Sequence, residues 1–286
     1  MDKKITDKMI MIKLKCSYDT GSRHSIANVN KISEDLNCNS NMLSVRVKMF
    51  DPDMIGGFTK ALSRLRGIYN LNTLPWDERG WRVVSSKAFS SLKNKLETAI
   101  NDLNESFEKC FIDNYDEHKE YFDNRKGDLD DVEFPLKSEM RDRFKIDYDI
   151  GAIASSSDIR IQGIDQEARR ELKESMEKQY EDKIKTGLND IATRLSNVTK
   201  DICERTADKD QNGKKYKRSL ENLQELTTAV EDLNMTGDDR IKEACSLIRE
   251  NICQYSSEAI KTTDIIRENV NKDAGSISEM LDQIAI

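Results

Sequence analysis

Between residues 165 and 206, Leu172, Met176, Tyr180, Ile184, Leu188, Ile191, Leu195, Val198 and Ile202 recur every three or four positions. That spacing puts them on one side of a single helix, which at ~1.5 Å per residue reaches about 60 Å. A helix this long and otherwise polar is stabilised mainly by burying its apolar face, so the stripe demands a partner. Candidates follow in the chain. Leu220, Leu223, Val230 and Leu233 mark a second helix over about 216–234. "NMTGDDR" breaks it, and Ile241, Cys245, Ile248, Ile252, Tyr255, Ala259 and Ile266 carry a third through about 238–271. Gly275 precedes a last short helix. The expectation is an antiparallel C-terminal hairpin or bundle over 160–286 with coiled-coil character. "ASSSDIRIQG", residues 154–163, is polar and broken, and serves as the junction before it.

Ahead of the junction the period switches. Ile10, Ile12, Leu14 and Cys16 alternate with Met11, Lys13 and Lys15, as in a strand with one buried face. Ile26, Val29, Ile32 and Leu36 line a helix over 24–36, and "LSVRVKMF", residues 43–50, alternates again. Asp51-Pro52 starts a helix over roughly 52–69, with aspartate as cap and proline in the first turn. "LPWDERGWRVV", residues 74–84, gives a turn and a short aromatic strand. Phe89, Leu92, Leu96, Ile100, Leu103, Phe107, Phe111, Tyr115, His118 and Phe122 then predict one long helix, followed by a helix over 135–144 and a strand over 144–153. The fold class is mainly α (α+β): a small α/β head with a long helix over 1–153, then the helical body over 160–286.

Composition agrees with long solvated helices: 35% charged residues, 6% aromatics, 3 prolines and 12 glycines. The net charge of −7 is uneven. Residues 1–100 carry 17 Lys+Arg against 10 Asp+Glu, and residues 101–286 carry 29 against 43. A basic head on an acidic body would offer two surfaces to different partners. Cys16, Cys38, Cys110, Cys203, Cys245 and Cys253 form no CxxC pair and read as reduced thiols of a cytoplasmic protein. The first ten residues lack the apolar core of a signal peptide, and no apolar run is long enough to span a membrane.

Motifs for chemistry are sparse. "DKDQNGKKYKRS", residues 208–219, opens like a calcium loop, with Asp208, Asp210, Asn212 and Gly213 in the expected places. Its eighth place is Lys215 and its twelfth is Ser219, so the bidentate glutamate is missing. Four cations also crowd the would-be ion, and the segment reads as an interhelical turn. "GGFTKAL" lacks the glycine spacing and the Gly-Lys-Ser/Thr ending of a phosphate loop. There is no GxGxxG or HExxH, and His24 and His118 cannot make a multi-histidine metal site. Cys110 and His118 would lie about 12 Å apart along one straight helix, too far for a dyad. No metal, cofactor or catalytic residue is assigned. Trp76 and Trp81, with Lys60, Arg64, Arg66, Arg79 and Arg82, could stack single-stranded bases in a basic groove. The favoured reading is that the same tryptophans anchor the head, which otherwise has little apolar bulk.

"SVRVKMFDPDMIGGFTKALSRLRGIY", the aromatic "LPWDERGWRVV", the long helix and "MRDRFKIDYDIGAI" are similar to a family of bacteriophage and bacterial helical proteins, a domain of unknown function. The similarity covers about residues 8–153 and leaves the C-terminal helices out. The family carries no catalytic residues to transfer. Its members are often encoded beside AAA ATPases of the MoxR type, which implies an adaptor role. The sequence is therefore read as a non-enzymatic adaptor that self-associates or docks on a protein partner, such as an AAA ATPase, through its long helices. The alternative is a nucleic-acid-binding protein of phage DNA metabolism acting through the basic head.

Overall fold

The computed structural model describes residues 8–127, 129, 131–153, 165–207, 214–234 and 236–284, the side chains of 214–216 aside. In order along the chain lie β1 (Met9–Ser17), β2 (Ser22–His24), α1 (Ile26–Asp35), a 3-10 turn (Ser40–Met42), β3 (Arg46–Lys48), α2 (Gly56–Leu71), β4 (Leu74–Pro75) and β5 (Arg82–Ser85). Next come α3 (Ser86–Phe107), a π-helical turn (Glu108–Asp113), α4 (Tyr115–Asp123), α5 (Lys137–Arg143), β6 (Lys145–Ala152), α6 (Gln166–Ala207) and α7 (Lys214–Leu233). The chain closes with α8 (Asp239–Ile248), a second π turn (Arg249–Cys253), α9 (Ser257–Thr262) and α10 (Asp264–Asp282). The protein is mainly α with a small sheet of order β4-β5-β1-β6 and a separate β2-β3 pair. The junction 154–163 and the loop 208–213 lie outside the described residues, so the calcium-loop-like opening has no structural reading.

Two compact units form, and they interleave in sequence. The first holds Met1–Lys13, Asn70–Leu92 and Ile150–Ile286; the second holds Leu14–Tyr69 and Lys93–Asp149. The division expected between residues 153 and 160 is therefore not where the compact units divide. Sheet pairing is the reason: β1 pairs antiparallel with β5 from Met9↔Ser85 to Ile12↔Arg82, which places 70–92 and the first part of β1, up to Lys13, in the unit of the C-terminal helices.

The first unit has an aliphatic core. Ile191, Leu195 and Ile202 of α6 pack with Leu223, Val230 and Leu233 of α7, Ile241 and Ile248 of α8, and Val270, Ile277 and Leu281 of α10. Met9, Leu74, Trp76 and Val83 join the same cluster. Polar contacts fix how α6 and α10 run. Ser196 Oγ donates to Asp282 at 2.7 Å near one end, and Asn271 Nδ2 donates to the Cys203 carbonyl at 2.6 Å near the other. Rising numbers on α6 thus meet falling numbers on α10, and the pair is antiparallel. The third C-terminal helix expected over 238–271 is instead four pieces. Ser256 stops it, adopting an extended backbone (φ −75°, ψ 153°) and accepting the Ala259 N–H to start α9. Gly275 does not precede a helix; it lies inside α10, facing Cys203.

The second unit has an aromatic core, because seven of the chain's eight phenylalanines fall in its segments. Phe107 stacks on Phe144 with centroids 3.9 Å apart, and Phe58 meets Phe111 edge-on at 5.0 Å. The long helix expected to 122 ends at Phe107. Cys110, Phe111 and Ile112 are buried in succession within the π turn, an arc wider than the single apolar stripe of an amphipathic helix. The helix expected from Pro52 begins at Gly56, preceded by turns in which the Asp51 carboxylate accepts the Asp53 N–H. The strand expected over 43–50 shortens to β3, whose partner is β2.

Two glycines predict opposite outcomes. Gly21 has φ +62°, and a Cβ there would fall 2.0 Å from the Phe50 ring, so Gly21→Ala is expected to destabilise by at least about 2 kcal/mol. At Gly275 a Cβ would sit 3.8 Å from Cys203 Sγ, an ordinary contact inside a helix. Gly275→Ala is expected to stabilise by about 0.5–1 kcal/mol. Urea melts of the two variants check both signs.

Candidate interaction surface

The seven side chains singled out for nucleic-acid contact do not belong to one unit. Lys60, Arg64 and Arg66 are exposed on α2 in the second; Trp76, Arg79, Trp81 and Arg82 belong to the β4–β5 hairpin of the first. Arg64 is paired with Asp102 at 2.9 Å. Arg66 lies against Cys16, whose thiol burial pushes up despite that cation. Trp76 is buried, stacked on Tyr180 at 6.0 Å, with the Lys183 ammonium 4.7 Å from its ring centroid. Trp81 packs half-buried against the same core. Arg82 donates from Nε to Thr73 Oγ1 at 2.6 Å and from Nη2 to the Thr73 carbonyl at 2.8 Å, which staples the hairpin. Arg79 is exposed at the hairpin tip, where its N–H donates to Asp77.

The basic head also dissolves once the units are known. The second unit carries 18 Lys+Arg against 22 Asp+Glu and the first 28 against 31, so both are acidic. The acidic segment 93–149 folds with the basic segment 14–69 and offsets it.

His118 is fully buried. Its Nδ1 accepts the Asp51 N–H at 3.3 Å, which assigns the proton to Nε2, and Nε2 donates to the Cys110 carbonyl at 2.9 Å. The π turn brings that carbonyl close, so the straight-helix separation does not apply. The Cys110 thiol faces Gly57 instead: a Cβ there would lie 3.2 Å from Sγ. All six cysteines are free, and burial pushes the thiols of Cys245 and Cys253 up to about 11, the mark of packing residues. Among the described residues no group of three or more His, Cys, Asp or Glu is placed to hold a metal ion, and no helix is long and apolar enough to cross a membrane. A cleft in the first unit beside Trp76, Val83, Lys183 and Ile191 encloses ≈ 20 Å³, room for about one water.

The feature that stands out is the lobe β2–α1–3-10–β3. Seven large apolar side chains are exposed among the described residues, and four lie within residues 26–42: Ile26 at 66%, Ile32 at 36%, Leu36 at 65% and Met42 at 80%. Nothing in their local sequence calls for exposure; α1 spends its buried positions on Val29 and Ser33. The lobe is held at its base. Ser25 caps α1 by accepting the Asn28 N–H, donates its hydroxyl to Asp131 at 2.9 Å, and gives its own N–H to the Val45 carbonyl. The Ala27 amide beside the Asp131 carboxylate, with the Ser25 hydroxyl, keeps that acid below its usual range. At the other anchor, buried Asp19 accepts from the Gly21 N–H, from Arg23 at 2.8 Å and from Arg143 at 2.9 Å. Burial alone would raise the Asp19 pKa; the hydrogen bonds from Arg23 and Gly21 and the two guanidinium charges outweigh it, and the net shift is downward.

No protein-family model, no curated protein and no solved structure matches the chain.

Asp19→Asn is expected to cost about 1–3 kcal/mol at pH 7, less than a fully buried pair because Arg23 and Arg143 are part-exposed. A depressed carboxylate stabilises above its unfolded pKa of about 3.9 and loses that contribution as pH falls through the folded value. The gap between wild type and variant in urea melts should therefore narrow below about pH 4. Separately, Arg82→Glu is expected to lower the melting temperature by breaking the Thr73 staple, whereas Arg64→Glu, on an exposed pair, should shift stability by less than about 1 kcal/mol.

Proposed function

We propose that the chain is a non-enzymatic interaction protein and that the lobe of residues 22–48 is its docking element. The observation that carries this reading is the concentration of exposed apolar side chains at Ile26, Leu36 and Met42 on a chain of which 35% is charged. The long helices, expected to do the docking, cover their stripes inside the first unit: Tyr180, Ile191, Leu195 and Ile202 of α6 are buried in its core. Of the seven large apolar side chains exposed among the described residues, the lobe holds four, and Leu136, Ile150 and Ile265 lie outside it. An AAA ATPase, the partner class implied by the family similarity, fits the same reading. Nucleic-acid binding loses its main support, because the unit that carries Lys60, Arg64 and Arg66 is acidic in sum and Arg64 is already paired.

The test is a triple variant, Ile26→Glu with Leu36→Glu and Met42→Glu, expressed as the full chain in the cells of origin. Wild type is expected to sediment in a complex larger than the monomer, and the variant as monomer with unchanged circular dichroism. A wild-type chain that sediments alone, or a variant that keeps the complex, would contradict the proposal.

A further inference from the structure

We draw no further inference here: the strongest candidate, the exposed apolar surface of the β2–α1–3-10–β3 lobe at Ile26, Leu36 and Met42, is the docking element already described, and with Lys31, Arg46 and Lys48 exposed alongside Glu34 and Asp35 nothing in the structure shows what covers it.

Discussion

The burial of the α6 stripe against α10 and α7 decides what the rest of the first unit can be. A helix of 42 residues cannot leave such a face in water, and α10, α7 and β4 from its own chain lie against it. Hydrogen bonds set the register: Asn271 reaches Cys203 and Thr206, while Ser196 and Lys200 share Asp282. With these seams closed, the most obvious route to assembly through long helices is already used up within one chain. Function is then sought where apolar surface remains open.

That place is the lobe in the second unit, which is anchored firmly at its base and bare on its outside. Asp19 gathers two guanidinium groups and a backbone amide, Asp131 caps α1 through Ser25, and Met49 and Phe50 are buried where the lobe returns to the unit. A loosely held element could expose Leu36 or Met42 merely by moving. An element pinned at both ends presents them in a fixed arrangement, as a preorganised binding surface does.

Much of this was legible from residue order, and the failures have specific causes. The stripe from Leu172 to Ile202 located α6 to within a residue at each end, and alternation located β1 and β6. The π turn at Glu108–Asp113 was hidden because Phe107, Phe111 and Tyr115 keep helical spacing across it. Ser256 could have marked the break before α9, since a serine just ahead of an acidic first turn with Glu258 is a cap signal, but the apolar periodicity ran through it. β2 is three polar residues, Ser22, Arg23 and His24, with no pattern to find. The interleaved units depend on pairing between residues 9–12 and 82–85, a non-local contact that local periodicity does not encode. The apparent basic head disappeared for the same reason. The lobe was missed because Ile26, Ile32 and Leu36 read as a core-facing stripe; only burial shows that Val29 and Ser33 take the inside instead.

Amide hydrogen exchange on the full chain, alone and within its native complex, probes the central claim most directly. The account predicts added protection within residues 26–48 on complex formation, with exchange along α6 unchanged. Protection gained along α6 while the lobe exchanges as freely as before would contradict it.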